Sequence, residues 1–342
     1  MDIYKNFKTS YNDYKNKYKS KHWKKFDLRT SLFKKKYLSN FRNNSLSDGL
    51  DDRYDLEDQK LIFSELKKKI GNTFVFNNLN SNNVGNSKYC YKFRNKIIDA
   101  GQNFHIMWLY EIDKIIAKKK KIKKVCEIGG GYGSLAQKII RKYNCKYVSI
   151  DLPEANLLSS YYLKKHFPQK KFAGNNQLKK NILTQENFKK NQIFILNPWN
   201  KLENIKFDLI INTRSMMEMD KNIISEYFTF IHKHIESDGF FLNINRYRKK
   251  SVGYPIHFFE YPYDNRWKVE SSKSSWRQNW VHFLITRRNK TNSHHSDIKK
   301  ELKKIKFKTI YFIIIEKNEE FKKYLKSILK KVIKIFHFQK KL

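Results

Sequence analysis

Apolar and polar residues follow two different periods along this chain. From Lys121 onward, short apolar runs alternate with stretches of helical period, which is typical of βαβ units and predicts a parallel sheet with helices on both faces. Two later apolar runs, separated by a polar SSKSS segment, predict an antiparallel pair at one edge of the sheet. The parallel strands are predicted at residues 125–128, 147–150, 193–196, 209–212 and 240–244, and the edge pair at 267–270 and 280–285. The pattern therefore predicts a Rossmann-like α/β domain over residues 119–290.

The first 118 residues have a different pattern. Residues 1–48 mix Lys, Asn, Tyr and Phe without a clear period and end at an acidic, turn-like cluster, so we predict a partly ordered basic arm. Helical spacing recurs at residues 56–70 and 91–117, with an Asn-rich loop at 77–87 between them. Residues 49–118 are therefore predicted to form a helical cover over one mouth of the sheet domain.

The last part of the chain, residues 291–342, begins with a polar linker and continues with the apolar run 310–315 and a basic helical stretch. In that stretch apolar residues occupy one face and lysines the rest, which is the pattern of a basic amphipathic helix. Such a helix either packs its apolar face on the protein or lies on an anionic membrane surface. The apolar face comprises Phe321, Leu325, Ile328, Leu329, Val332, Ile333, Ile335 and Phe336.

The strongest chemical signal is the segment VCEIGGGYG, in which an apolar strand reaches Glu127 and runs into a glycine-rich turn that opens a helix. Glycine is needed at Gly129, Gly131 and Gly133 because the backbone must turn tightly and let a ligand approach without a Cβ in the way. A second strand ends at Asp151, where a carboxylate can bind both ribose hydroxyls of a cofactor. The pairing of Glu127 with Asp151 predicts a cofactor site at the ends of these two strands.

The acidic residue before the glycines separates two classes of cofactor. NAD places its diphosphate at the helix N-terminus, where Glu127 would add a negative charge beside the phosphates. S-adenosylmethionine has no phosphate and carries a sulfonium and an ammonium group, so a nearby carboxylate favours it. We therefore predict an S-adenosylmethionine site, to which Leu152, Asn197 and Asn212 also contribute.

Four segments resemble the sugar O-methyltransferases found in bacterial surface-polysaccharide gene clusters: CEIGGGYG, SIDLPE, INTRSMMEMD and FLNINRY, all within residues 88–290. The glycine motif is similar to that of class I methyltransferases in general, and SMMEM together with NINRY is the part that resembles the sugar group. The resemblance implies a class I methyltransferase sheet, S-adenosylmethionine as methyl donor and a sugar hydroxyl as acceptor, in surface-polysaccharide biosynthesis.

The resemblance also implies where the acceptor binds. In class I methyltransferases the acceptor lies beyond the carboxyl ends of the fourth and fifth strands, which here carry Arg214 and Glu218, and Arg246. Transfer to a sugar hydroxyl needs a general base, because the pKa of the hydroxyl is far above 7. Glu218 is the leading candidate and His257 the alternative, since Met217 stands where related enzymes often carry His. Arg214 and Arg246 are candidates for binding the phosphates of a nucleotide-linked or lipid-linked sugar.

The triplet Asn197-Pro198-Trp199 is similar to a motif of amino-directed methyltransferases, Asn/Asp-Pro-Pro-aromatic, which holds a planar amine. In those enzymes the motif follows the fourth strand, whereas here it follows the third. We therefore expect the triplet to border the adenine and not the acceptor.

Charge adds two alternative functions. The chain has 342 residues and a formal net charge of +40, which would attract nucleic acid, anionic lipid or phosphorylated substrates, although a Lys excess with abundant Asn and Ile also follows from biased nucleotide composition. The lysines are spread along the chain, which argues against nucleic acid as a partner. An RNA methyltransferase, or a non-catalytic membrane-associated scaffold that retains the fold, remains the alternative.

The sequence also bears on location and metals. The first ten residues carry charge where a secretory signal would be apolar, and no apolar run is long enough to span a bilayer, so we expect a cytoplasmic protein, peripheral at the inner membrane face if its C-terminal helix binds lipid. Cys90, Cys126 and Cys145 show no CxxC spacing, so we expect no disulfide framework and no metal site.

Overall fold

A mixed sheet of eight strands lies at the centre of the protein, in a computed structural model that describes residues 1–24, 35–43, 54–289 and 297–339, with side chains described as far as residue 318. The sheet strands are β3 (Lys124–Ile128), β4 (Lys146–Ile150), β5 (Phe172–Gly174), β7 (Ile193–Leu196), β9 (Phe207–Thr213), β10 (Ile235–Arg246), β13 (Trp267–Ser275) and β14 (Gln278–Arg288). Six short strands form three separate pairs: β1 (Tyr91–Phe93) with β2 (Lys96–Ile98), β6 (Ile182–Leu183) with β8 (Lys201–Leu202), and β11 (Arg248–Lys249) with β12 (Ile256–His257).

The strand order is β13-β14-β10-β9-β3-β4-β7-β5. The six strands from β10 to β5 are parallel, and β14 is antiparallel to both of its neighbours. The predicted Rossmann-like α/β class and the antiparallel pair at the edge are both confirmed. Successive strand residues face opposite sides, and both sides are buried, which explains why the central strands read as continuous apolar runs.

Helices cover both faces of the sheet. They are α1 (Ile3–Asn12), α2 (Lys21–Lys24), α3 (Lys35–Ser39), α4 (Leu56–Ile70), α5 (Asn72–Asn78), α6 (Ala100–Ile112), α7 (Ser134–Tyr143), α8 (Pro153–His166), α9 (Gln185–Lys190), α10 (Lys221–His234) and α11 (Asp297–Gln339). Helices α6, α7 and α8 pack on one face, and α9, α10 and the start of α11 on the other. The helix predicted at residues 56–70 is confirmed as α4.

The described part of the predicted arm packs against the first of these faces. Phe7, Leu38 and Phe41 are buried in the same core cluster as α6 and α7. The acidic cluster at residues 48–52 lies outside the described residues, as does nearly all of the polar linker before α11. The boundaries of arm, cover and sheet domain stay a prediction.

Three details of the predicted elements are wrong. Residues 91–98 form a hairpin, not helix, because the chain reverses at Arg94 and Asn95, both with positive φ. The SSKSS segment is the second half of β13, since a strand at the edge is held by backbone hydrogen bonds and needs no apolar side chains. The run 310–315 lies inside the single helix α11. Within the described chain, no helix is both long and apolar enough to cross a membrane.

A candidate cofactor and acceptor cleft

A cleft opens at the carboxyl ends of β3, β4 and β9. Strand β3 has β4 on one side and β9 on the other, so the chain connections leave in opposite directions here, which is the position where open α/β sheets bind ligands. The first part of the cleft is lined by Trp23, Gly101, His105, Trp108, Glu127, Gly129, Gly130, Gly131, Tyr132, Ser134, Leu135, Asp151, Ala155, Thr213, Arg214, Ser215 and Glu218. A narrower continuation is lined by five of the same residues together with Tyr18, Ser20, Ile150, Leu152, Pro198, Met219, Ile223 and Tyr227.

The glycine turn forms the floor of this cleft. Gly129, Gly131 and Gly133 all have positive φ, at 72°, 58° and 89°, which side chains rarely tolerate. A Cβ on Gly129 would overlap the side chain of Ser215, and one on Gly130 would lie 2.6 Å from Glu127 Oε2. The predicted need for glycine is therefore explained by two close approaches inside the protein as well as by room for a ligand.

Glu127 lies beneath the turn with its side chain fully buried. Its Oε2 accepts a hydrogen bond from the Tyr147 hydroxyl at 2.6 Å, whereas its Oε1 has no hydrogen-bond partner among the described residues. Burial is the main cause that raises the pKa of Glu127 to about 7, and the charge of Asp151 raises it further. A buried carboxylate oxygen without a partner is costly, and it marks a position where a cation would be stabilised.

Asp151 holds the glycine turn and the next strand end together. Its Oδ2 accepts from the Gly131 N–H at 2.8 Å and its Oδ1 from the Leu152 N–H at 2.7 Å. Burial raises its pKa to about 7, against the opposing effect of those two backbone hydrogen bonds. Each oxygen keeps a second lone pair for a hydroxyl donor, so the predicted ribose contact remains chemically open.

The two predicted amides act differently from what we expected. Asn197 turns its side chain towards Asn156, whose Nδ2 donates to Asn197 Oδ1 at 3.2 Å, and its neighbour Pro198 lines the cleft instead. Asn212 donates to the Ile128 carbonyl at 2.8 Å and accepts from the Met216 N–H at 3.1 Å. Asn212 therefore shapes the cleft from behind, whereas the buried Nδ2 of Asn197 has no hydrogen-bond partner among the described residues.

The acceptor side is built by the turn that follows β9. Arg214 has φ 58° and donates its N–H to the Ile244 carbonyl at 2.6 Å, a strained conformation of the kind that accumulates at functional sites. The turn continues through Ser215 to Glu218, and both side chains line the cleft. Asn245 Oδ1 accepts from the Met217 N–H at 3.2 Å, which ties the turn to the end of β10.

Glu218 is held by two basic side chains from distant parts of the chain. Its Oε1 pairs with Lys249 Nζ, and its Oε2 lies 3.6 Å from Nε2 of His22. Both partners and Glu218 itself are mostly buried, so the carboxylate is fixed in orientation at the edge of the cleft. The structure brings Glu218 to the predicted acceptor side.

His257 and Arg246 do not belong to this lining. His257 Nδ1 lies 3.2 Å from Glu260 Oε1 and its ring stacks on Phe259. Arg246 donates its backbone N–H to the sulfur of Met217. Their predicted roles as base and phosphate ligand gain no support from this geometry.

Two lining residues were missed as site candidates. Trp23 comes from the arm, which the sequence pattern left without assigned contacts. His105 comes from α6, where its Nδ1 lies 2.8 Å from the Ser134 hydroxyl and its ring lines the cleft. Burial lowers the pKa of His105 to about 3, so the ring is neutral at physiological pH. The spacing of His105 from the glycine turn contained no signal that could have identified it.

Comparisons with known proteins give only distant structural matches. No protein-family profile matches the chain, and no curated protein is significantly similar to it in sequence. Among solved structures, the pyocyanin biosynthetic protein PhzM is 11% identical with a TM-score of 0.36, and the match covers 55% of this chain and 58% of that one. An S-adenosylmethionine-bound amino pentose methyltransferase from Micromonospora echinaspora, involved in calicheamicin biosynthesis, is 9% identical with a TM-score of 0.37, covering 54% and 92%.

A third solved structure is the O-methyltransferase of a trans-AT polyketide synthase multienzyme of Brevibacillus brevis, in complex with S-adenosyl-L-homocysteine. It is 10% identical with a TM-score of 0.39, and the match covers 60% of this chain and 83% of that one. With identities and TM-scores this low, fold and function have to be argued from the chain's own sheet order and side chains.

Within the described ranges, no group of three or more His, Cys, Asp or Glu could hold a metal ion.

Proposed function

We propose that this protein is an S-adenosylmethionine-dependent O-methyltransferase that acts on a sugar hydroxyl in surface-polysaccharide biosynthesis. The observation that carries the cofactor assignment is the pair of carboxylates at the floor of the cleft, Glu127, which is fully buried, and Asp151, which is half-buried. Burial raises the pKa of both to about 7, and Glu127 Oε1 has no hydrogen-bond partner among the described residues. A ligand that brings positive charge relieves this situation, whereas a dinucleotide diphosphate would add negative charge to it.

The residues present fit such a cofactor. Glu127 offers a free oxygen to an ammonium group, and Asp151 offers unused lone pairs to the ribose hydroxyls. Leu152, Pro198 and Tyr227 supply an apolar slot for the adenine in the narrow continuation of the cleft. When bound, the sulfonium supplies an electrophilic methyl group.

The protein's own residues orient the acceptor and take its proton. Glu218 lines the cleft and is the group we assign as general base for the hydroxyl. His105 is the other candidate in the cleft, but the low pKa that its burial produces makes it a poor proton acceptor for an alcohol. We assign His105 and Ser134 to hydrogen bonding of the acceptor's other hydroxyls.

The substrate class rests on the sequence resemblance to sugar O-methyltransferases and on the chemistry of the acceptor side. Trp23 and Trp108 present indole rings there, and Arg214 presents a guanidinium. Indole rings bind the apolar face of a sugar, and a guanidinium binds the diphosphate of a nucleotide-linked or lipid-linked sugar in a bidentate way.

Calorimetric titration of the purified chain with S-adenosylmethionine, S-adenosylhomocysteine and NAD tests the cofactor assignment. We expect micromolar binding of the first two and none of NAD. Methyl transfer to a panel of nucleotide sugars, with RNA as the comparison acceptor, then tests the substrate class. Binding of NAD alone would contradict the proposed cofactor, and transfer to RNA alone would contradict the proposed acceptor.

A further inference from the structure

The long C-terminal helix α11 is docked on the sheet by one face only. Ile298, Ile305 and Thr309 are buried, and Phe312 packs against the Tyr247 ring with centroids 5.3 Å apart. These positions recur at intervals of three and four residues, so they define one side of the helix. The helix then continues to Gln339, which gives its 43 residues a length of about 64 Å.

The opposite side of the same turns is apolar and exposed. Phe307 is 64% exposed, Tyr311 60% and Ile314 53%, and Ile310 and Ile315 are also exposed. They fall at the i, i+3, i+4, i+7 and i+8 spacing of an amphipathic stripe. A contiguous exposed apolar patch of this kind marks an interaction surface.

The sequence extends this stripe through the rest of the helix. Stepping from Ile314 by alternate intervals of four and three residues passes Asn318 and then meets Phe321, Leu325, Ile328, Val332 and Ile335. These are five of the eight apolar residues of the predicted amphipathic helix. By helical spacing, their positions fall on the side of α11 that carries the exposed stripe.

Charge decides what covers the stripe. From residue 321 to residue 342 the chain holds eight lysines and no Asp or Glu. In a coiled coil formed with a second copy, Lys308, Lys322 and Lys331 would flank the apolar seam and repel their equivalents. Anionic lipid headgroups would instead pair with these lysines while the apolar stripe enters the acyl boundary.

We propose that α11 is a membrane-binding helix that lies in the plane of an anionic bilayer, with its exposed apolar stripe from Phe307 to Ile315 buried in the interface. This surface is separate from the cleft and does not depend on the proposed activity. The helix is nevertheless connected to the acceptor side of the cleft. Glu316 of α11 pairs with Arg248, next to Lys249, which holds Glu218 at the acceptor side. If the proposed function holds, the helix brings the acceptor side towards lipid-linked sugar.

The test is sedimentation of the full chain with vesicles of phosphatidylcholine alone and of phosphatidylcholine mixed with phosphatidylglycerol. We expect binding to the mixed vesicles only. The triple variant Phe307→Gln, Tyr311→Gln, Ile314→Gln changes exposed positions, so the fold should survive, and it should weaken binding by at least about tenfold through the lost apolar burial.

A second variant, Lys322→Gln, Lys326→Gln, Lys330→Gln, should weaken binding by about a hundredfold, since each lysine near an anionic surface contributes about fivefold. Its matched control removes three exposed lysines from α4, Lys60→Gln, Lys68→Gln, Lys69→Gln, and should bind nearly as the unchanged chain does. Equal binding by all three variants and the unchanged chain would overturn the proposal. So would concentration-dependent dimerisation, seen in sedimentation velocity and abolished by the stripe variant, without vesicle binding.

Discussion

The two halves of the cleft hold their charges in different ways. On the cofactor side, Glu127 and Asp151 are held by Tyr147 and by two backbone amides, all within 25 residues of one another in sequence. On the acceptor side, Glu218 is held by Lys249 and by His22 from the arm. The first half is a local βαβ unit whose geometry is fixed by the glycine turn, whereas the second half is assembled from distant segments. The difference suggests a rigid binding half and an acceptor half that depends on the arm.

The largest loss of cofactor binding is expected from a side chain that fills the glycine turn of the cofactor side. In Gly129→Ala the new Cβ would overlap Ser215, so the turn must move and we expect no detectable binding of S-adenosylmethionine by calorimetry. Gly71→Ala is the matched control, because Gly71 also has positive φ, at 85°, but has nothing within 4 Å of an added Cβ. The control should cost about 1 to 3 kcal/mol of stability, because Gly71 has ψ 144° and lies outside the left-handed helical region, and it should leave binding intact. Retained binding in the first variant would contradict a floor formed by this turn.

The same contrast explains how much of the site could be predicted from the sequence. The elements of the cofactor side lie next to each other in the chain: a strand, an acidic residue, glycines and a helix. Their pattern therefore predicts Glu127, the glycine turn and Asp151 at one site, and the structure has all three at one cleft. Trp23 and His22 come from an arm without periodic pattern, and Lys249 from a short hairpin after β10. Nothing local in the sequence indicates that His22 and Lys249 meet Glu218 or that Trp23 lines the same cleft, because only the tertiary fold brings them there.

Two strands of the sheet also could not be predicted fully from local sequence. The long apolar runs of the central strands were sufficient to predict them, because burial on both faces leaves an unambiguous pattern. Strand β5 has only three residues, Phe172-Ala173-Gly174, too few to show a period, and it was missed. The second half of β13 is polar and was taken as a separator, since edge strands are defined by backbone pairing that leaves little trace in side-chain polarity.

The acceptor half is tested next, by Glu218→Gln. The variant should bind S-adenosylmethionine as the unchanged chain does and should lower turnover by about a hundredfold, the lower end of what a general base contributes. Glu226→Gln is the matched control, because Glu226 also pairs with an arm residue, Lys17, but is exposed on α10. Full turnover by the Glu218 variant would exclude that residue as the base.

A smaller loss of cofactor binding is expected from removing the carboxylate of Glu127 on the cofactor side. Glu127→Gln should weaken S-adenosylmethionine binding by about tenfold, because a hydrogen bond between charged groups becomes one to a neutral amide. Binding by the unchanged chain should also weaken as pH falls through about 7, where Glu127 and Asp151 become protonated. Glu111→Gln, at a buried carboxylate paired with Lys273 outside the cleft, should leave binding unchanged. Equal loss in both variants would point to a general structural effect.

As pH rises, the stability of the protein should fall while its binding of S-adenosylmethionine strengthens. The pKa of Glu127 is raised from 4.5 to about 7 in the folded protein, so the folded state retains its proton longer than the unfolded state. The free energy of unfolding therefore loses this contribution as pH rises from about 4.5 to about 7. Glu127→Gln does not ionise, so its stability relative to the unchanged chain should increase across that window in urea titrations. A constant difference between the two proteins would contradict the burial of an uncompensated carboxylate.

The smallest effect on ligand binding should come from a substitution in the arm. This substitution tests whether the two halves of the cleft differ in rigidity. Trp23 lines both parts of the cleft but belongs to α2, a helix of only four residues. In Trp23→Ala we expect S-adenosylhomocysteine to dissociate about three to five times faster, a change of about 1 kcal/mol, measured by stopped-flow. Trp280→Ala, at a ring 42% exposed on β14, should leave the rate unchanged. A loss as large as that of Gly129→Ala would mean that the arm is part of the rigid half, because only a fixed wall of the binding site could matter that much.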